Sequence, residues 1–164
     1  MSITTVENKF ASELTNFIIS DFIIDSQDAL NIFPKLNKYS IKNTSIRINV
    51  IKLDEDKNHR VSSFLLFNNV LFNKELGDDE YILLEKIEVD NCQLVIINED
   101  KLFDDNLDDW LEKCITNKDL YDVTEDGKIC ITSGFGPGIY RLMGNYKDNE
   151  LVSLKIEFIK EKVD

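Results

Sequence analysis

The chain has 164 residues, of which 30% are charged, and its net charge is −12 at pH 7. A nucleic-acid ligand needs a basic face for its phosphates, and an anionic membrane attracts basic segments, so this charge argues against both. The charge is compatible with a basic partner protein, or with a role in solubility alone.

Length and composition predict one globular domain over residues 1–164. The chain starts without a basic stretch leading into an apolar run, so we expect no signal peptide. Cys92, Cys114 and Cys130 have neither the spacing of a metal site nor an even count, which predicts buried thiols in the reducing cytoplasm. The oligomeric state is left open between monomer and homodimer. The predicted segments are an N-terminal helical part (1–40), a strand-rich part (41–97), an acidic helical part (98–126) and a C-terminal hairpin (127–160).

Helical spacing marks the beginning of the chain. An amphipathic helix is predicted over residues 6–19, where the apolar side chains are Phe10, Ala11, Leu14, Phe17 and Ile18. Residues 22–24 continue the apolar run as a short strand. Ser26 is then expected to cap a short helix over residues 27–33 that ends at Pro34.

Alternation of apolar and polar residues begins near residue 44. It predicts strands over residues 44–53, 61–67, 81–89 and 93–97. Asn68-Asn69 separates residues 61–67 from the apolar residues 70–72, which indicates a kinked or paired strand. Charged or glycine-containing turns are expected at residues 54–60 and 77–79. Asp90-Asn91 is expected to form a tight hairpin turn between the last two strands.

Residues 99–126 are strongly acidic, with eleven acidic residues against three lysines. The helical spacing of Leu107, Trp110, Leu111, Cys114 and Ile115 predicts a helix that begins after Asp105 or Asn106 and buries Trp110. Asp108 and Asp109 would lie in its first turn, where the helix dipole stabilises negative charge.

Residues 133–140 read Ser-Gly-Phe-Gly-Pro-Gly-Ile-Tyr and hold three of the six glycines and one of the two prolines. Glycine tolerates positive φ and proline fixes φ, so a tight turn is predicted. It leads into a hairpin formed by residues 139–146 and 151–159. The residues with a predicted structural role in the turn are Gly134, Gly136, Pro137, Gly138 and Tyr140.

No pattern in the sequence indicates catalysis. His59 is the only histidine, so a histidine-rich metal site is excluded, and the acidic residues lack the spacing of a calcium-binding EF-hand loop. The glycines precede a strand, whereas a dinucleotide-binding motif opens a helix. We therefore predict a non-enzyme without catalytic residues, metal or cofactor. The expected fold is α+β, mainly antiparallel sheet in a sandwich-like arrangement, with an N-terminal helix and an acidic helix around Trp110.

The C-terminal half resembles a family of uncharacterised bacterial proteins. The resemblance covers about residues 87–159 and rests on Val-Asp-Asn-Cys-Gln-Leu-Val-Ile at 89–96, Asp109-Trp110, the glycine-rich turn and Val-Ser-Leu-Lys-Ile-Glu-Phe at 152–158. The family has a Val-Asp-Ser-Gly-Gln strand and a Gly-aromatic-Gly-Asp-Gly-x-Tyr-Pro turn. Here Asn91-Cys92 replaces Ser-Gly, Pro137 replaces the turn aspartate and Arg141 replaces the proline. The family brings no established activity.

Proteins of this size and kind often resemble immunity proteins of bacterial toxin systems. That analogy implies an acidic inhibitor that binds a basic toxin or effector. The predicted partner-binding residues are Asp104, Asp105, Asp108, Asp109, Trp110 and Glu112. For Trp110 the spacing leaves partner contact and core packing both open. The alternatives are a domain that binds a small ligand or a divalent metal under the glycine turn, and a hydrolase with paired carboxylates.

Overall fold

The computed structural model describes residues 2–9, 13–52, 58–72, 80–117 and 119–159. Within these ranges the α-helices are α1 (Ser26–Ile32) and α2 (Leu107–Asn117), and single 3-10 turns lie at Phe33–Lys35 and Glu99–Lys101. The strands are β1 (Ser2–Lys9), β2 (Leu14–Asp21), β3 (Tyr39–Ile41), β4 (Thr44–Lys52), β5 (His59–Asn68), β6 (Ile82–Val89), β7 (Gln93–Asn98), β8 (Tyr121–Val123), β9 (Ile129–Thr132), β10 (Gly138–Lys147) and β11 (Glu150–Glu157). None of the helices in the described part of the chain has the length and apolar character that crossing a membrane requires.

The strands form two antiparallel sheets. The first, which we call the outer sheet, has the strand order β1-β4-β5-β11-β10-β6. The second, the middle sheet, has the order β3-β2-β7-β9-β8. The prediction of a mainly antiparallel, sandwich-like α+β fold is confirmed.

Alternate residues of the middle sheet pack against different layers. In β7, Leu94 and Ile96 belong to the core between the two sheets, whereas Val95 and Ile97 belong to a second core shared with the helices. Successive side chains of a strand point to opposite faces, so a strand covered on both sides reads as a continuous apolar run. The layers are therefore the outer sheet, the middle sheet and the helices, in that order.

The predicted N-terminal helix over residues 6–19 is wrong. Residues 2–9 form β1, which pairs with β4, and residues 14–21 form β2, which pairs with β3 and β7. Asn16 has a φ of 48°, and the strand register shifts between Leu14 and Phe17. This bulge places both apolar side chains in the inter-sheet core at a spacing of three residues, which imitates a helix. Phe10 and Ala11 lie outside the described residues.

The predicted hairpin turn at Asp90-Asn91 is also wrong. The strand before it, β6, pairs with β10 in the outer sheet, and the strand after it, β7, pairs with β2 and β9 in the middle sheet. The chain therefore crosses between layers at this point. Residues 22–24 and 70–72 form no strand. His59 and Arg60 begin β5 rather than lying in a turn, while residues 53–57 and the predicted turn at 77–79 fall outside the described ranges.

Helix α1 lies close to its predicted position. Its cap is Asp25 rather than Ser26, because the Oδ1 atom of Asp25 accepts a hydrogen bond of 2.8 Å from the N–H of Asp28. At the other end of the chain, β10 and β11 pair as an antiparallel hairpin, as predicted.

Candidate functional site

The acidic residues around α2 divide into two groups. Some of them bind cations or hydrogen-bond donors within the protein, and others are exposed and have no partner among the described residues. This division matters because only the second group retains its full charge for another molecule.

Asp104 belongs to the first group. Its Oδ2 atom lies 3.4 Å from Nζ of Lys128, and the same ammonium lies 3.0 Å from Oδ2 of Asp126. The Lys128 side chain is only 3% exposed, so these carboxylates are the counter-ions of a buried charge. Asp104 therefore has a structural role.

This arrangement lowers the pKa of the Asp126 carboxyl. Burial acts to raise its pKa, but hydrogen bonds from Thr124 and Lys128 and the charges of Lys128 and Lys101 outweigh that effect. The pKa of Asp126 is consequently lower than its ordinary value, and the ionised form is favoured in the folded protein.

Asp108 also has a partner within the protein. Its carboxylate accepts a hydrogen bond of 2.6 Å from the N–H of Ser26 and another of 3.0 Å from the Ser26 hydroxyl. Ser26 is the first residue of α1, so Asp108 joins the first turns of the two helices. Backbone N–H groups at a helix start lack intrahelical acceptors, and a carboxylate there satisfies one of them.

Trp110 lies in the core between the helices and the middle sheet. It is 6% exposed, and its indole N–H donates a hydrogen bond of 2.6 Å to Oδ2 of Asp122. Lys113 lies 3.7 Å from the other oxygen of Asp122. Trp110 is therefore buried, whereas the sequence-based prediction placed it with the acidic residues on a partner-binding surface.

Among the six predicted partner-binding residues, Asp105, Asp109 and Glu112 belong to the second group, and we call these three the acidic stripe. All three are exposed, and their side chains form no hydrogen bond or ion pair with any other described residue. Their spacing of four and three residues places them along one side of α2 and its entry. Of the six predicted partner-binding residues, these three are free to contact another molecule.

Two exposed apolar side chains accompany the stripe in the chain. Phe103, which precedes it, is 77% exposed, and Ile115, one turn beyond Glu112, is 50% exposed. Phe103 lies outside the helical repeat of apolar residues, so that repeat did not identify it, and the same repeat predicted Ile115 on the buried side of the helix. The sequence did contain one signal for an exposed Phe103, because it is an aromatic residue in an acidic segment and belongs to no apolar pattern.

The glycine-rich turn has the structural role that its sequence suggests. Gly134 and Gly136 have φ angles of 61° and 115°, and Gly138 begins β10. The Tyr140 hydroxyl lies 2.6 Å from the carbonyl oxygen of Gly136 and 2.9 Å from that of Ser133, while burial raises the pKa of Tyr140. Pro137 is exposed. The turn carries the chain from β9 in the middle sheet to β10 in the outer sheet.

This turn lies beside the other crossing between the sheets. The N–H of Ser133 donates a hydrogen bond of 3.0 Å to the carbonyl oxygen of Cys92. Cys92 is exposed and has a φ of 63°, so the prediction of a buried thiol is wrong at this position, which lies in the crossing between the sheets. A cavity of about 240 Å³ lies here, and Arg60 in its wall stacks 4.9 Å from the ring centroid of Phe135. In the described ranges, no group of three or more His, Cys, Asp or Glu residues is arranged to hold a metal.

The remaining cysteines lie beneath α2. Cys114 of α2 and Cys130 of β9 are free and buried in the core on the helical side. A hydrogen bond with Cys114 and burial both raise the pKa of the Cys130 thiol. The Cys130 thiol is therefore a protonated packing group, and Cys114 packs beside it in the same core.

Comparison of the chain with protein-family models, curated proteins and solved structures finds no significant match.

Proposed function

We propose that the protein is a non-enzymatic interaction module that binds a basic protein through the acidic stripe, in the manner of a bacterial immunity or antitoxin-like protein. One observation supports this proposal most directly. No described residue forms an ion pair or a hydrogen bond with the side chains of Asp105, Asp109 and Glu112. Nearby carboxylates at Asp104 and Asp108 each have an internal partner.

Electrostatics give the stripe its preference for a basic partner. The chain carries a net charge of −12, and the three carboxylates of the stripe, which no described residue compensates, concentrate negative potential along one side of α2 and its entry. Complementary potentials accelerate encounter and disfavour wrong partners more than they add affinity. We therefore assign charge recognition to the stripe alone and exclude Asp104 and Asp108 from it.

Apolar contact in this interface is assigned to Phe103 and Ile115. Interfaces take much of their binding free energy from a few side chains that become fully buried. Trp110 cannot supply such contact without leaving the core, because its indole N–H is bonded to Asp122. Phe103 is the exposed aromatic residue beside the stripe.

The first experiment is to identify the partner. Tagged protein expressed in its own host and purified at low and moderate salt should retain a stoichiometric basic protein that is lost as salt rises. A chain that purifies alone under both conditions would contradict the proposal.

The second experiment measures association with that partner. Reversing the stripe with Asp105→Lys, Asp109→Lys and Glu112→Lys should slow association at low salt by about tenfold and flatten its salt dependence. The matched control reverses Glu13, Glu88 and Asp90, three exposed acids outside the helical layer. Equal effects of the two triple variants would show that net charge matters and the stripe does not.

A further inference from the structure

The outer sheet carries a groove on the face that points away from the middle sheet. Ile139, Arg141 and Met143 alternate along β10 on this face, while Leu142 between them lies in the inter-sheet core. Lys155 of β11 lies directly across from Met143 in the strand register. Together with Tyr81, Glu157 and Phe158 these residues line a space of about 630 Å³, which we call the outer-sheet groove.

The groove has an apolar floor that solvent reaches. Ile139 is 68% exposed, and Met143 lies beside it on the same face. The Tyr81 ring supplies an aromatic wall, with Nζ of Lys155 at 4.2 Å from its centroid, and Phe158 also lines the space. Small-molecule sites typically combine such apolar walls with a few polar groups and have volumes of about 300–1,000 Å³.

Arg141 gives the groove its polarity. Lys155 lies 3.3 Å from Oε1 of Glu157, so these two charges balance each other. Arg141 is exposed, and its side chain forms no hydrogen bond or ion pair with the rest of the described chain. The groove therefore carries one uncompensated positive charge in a chain whose net charge is −12.

We propose that the outer-sheet groove binds a small amphipathic carboxylate. The ligand's carboxylate pairs with the guanidinium of Arg141, whose planar set of donors matches a carboxylate. Its apolar body covers Ile139 and Met143, which removes exposed apolar surface from water. This site lies on the opposite side of the middle sheet from the acidic stripe and does not depend on the proposed interaction with a basic protein.

The test uses isotope-labelled protein, heteronuclear NMR and two pairs of probes. The pairs are phenylbutyrate with phenylbutyramide and octanoate with octanamide, so that each carboxylate has an uncharged amide of the same shape. We expect at least one carboxylate to cause saturable shifts confined to amides of β10 and β11. Its amide should bind about tenfold more weakly. No saturable shift with either carboxylate, or equal affinity within both pairs, would overturn the proposal.

Variants separate Arg141 from general charge effects. Arg141→Gln should reduce the affinity of the carboxylate to that of its amide while leaving the fold intact, since the exposed side chain forms no hydrogen bond or ion pair with a described residue. Lys147→Gln removes the same charge at the far end of β10 and should leave binding unchanged. An unchanged affinity in Arg141→Gln, or the same loss in both variants, would refute the assignment of Arg141.

Discussion

The indole N–H of Trp110 donates a hydrogen bond of 2.6 Å to Oδ2 of Asp122, which ties α2 to β8 at the edge of the middle sheet. Trp110 is the only tryptophan, so tryptophan fluorescence reports on the surroundings of this one side chain. We expect blue-shifted emission with little quenching by acrylamide, because the ring is buried.

Asp122→Ala should lower the free energy of unfolding by about 1–3 kcal/mol, because it leaves the buried indole N–H without an acceptor. Urea unfolding followed by tryptophan fluorescence measures this difference. Asp119→Ala removes an exposed acid close by in the chain and serves as the control. Equal midpoints for the two variants would show that the hydrogen bond adds nothing to stability.

Asp108 and Asp109 are neighbours that should behave differently. Asp108→Ala should reduce the free energy of unfolding by about 1 kcal/mol, because Asp108 accepts two hydrogen bonds from Ser26 at the start of α1. Asp109→Ala should be nearly neutral for stability and should act on partner association instead. Denaturant unfolding of both variants checks the first expectation, and the reverse order of stabilities would contradict it.

Lys128 should be the most sensitive charged residue. Lys128→Met removes the cation between Asp104 and Asp126, and we expect a loss of about 3 kcal/mol in unfolding free energy. Lys101 lies 4.0 Å from Asp126, so Lys101→Met should destabilise far less. Thermal and urea unfolding of the two variants provide the comparison, and a stable Lys128→Met protein would show that the buried charge is dispensable.

The lowered pKa of Asp126 predicts a particular pH dependence. Its folded-state pKa lies below the ordinary value of 3.8, so its stabilising effect is complete above that value and is lost as pH falls through the folded pKa. The gap in unfolding free energy between the native protein and Asp126→Asn should be constant above about pH 5 and shrink below about pH 4. A gap that stays constant down to about pH 2 would exclude this linkage.

Cys92 adopts a left-handed conformation, with a φ of 63°. Such a conformation costs a side-chain-bearing residue about 1–2 kcal/mol, and part of that is offset by the greater freedom of glycine in the unfolded chain. Cys92→Gly should therefore stabilise the protein by about 0.5–1 kcal/mol. Cys92→Ala keeps the strain and should be neutral, so equal stability of the two variants would contradict the argument.

The sandwich could be predicted from the alternating apolar pattern of β4 and from the glycine-rich turn before β10. In contrast, the sequence could not predict that β2 is a strand. Its apolar residues face cores on both sides, and the bulge at Asn16 gives Leu14 and Phe17 the spacing of a helix. The local sequence pattern does not distinguish a strand covered on both faces from a helix. The layer that covers the second face of β2 is formed by α1 and α2, which come later in the chain.

The division of the acidic residues was also beyond the sequence. Asp104 is bound by a lysine 24 residues away, and Asp108 by a serine 82 residues away. In the sequence these acids are indistinguishable from Asp105 and Asp109, since all four occur in one segment of like charge. Only the tertiary contacts show which carboxylates remain free.

The position of β11 between β5 and β10 has a consequence for how the protein is made. During translation β5 emerges long before β11, so its unpaired edge waits for a strand about 90 residues later in the chain. We expect the outer sheet to close only after residues 150–157 have left the ribosome. Until then the nascent chain presents open strand edges, which are the features that chaperones shield from aggregation.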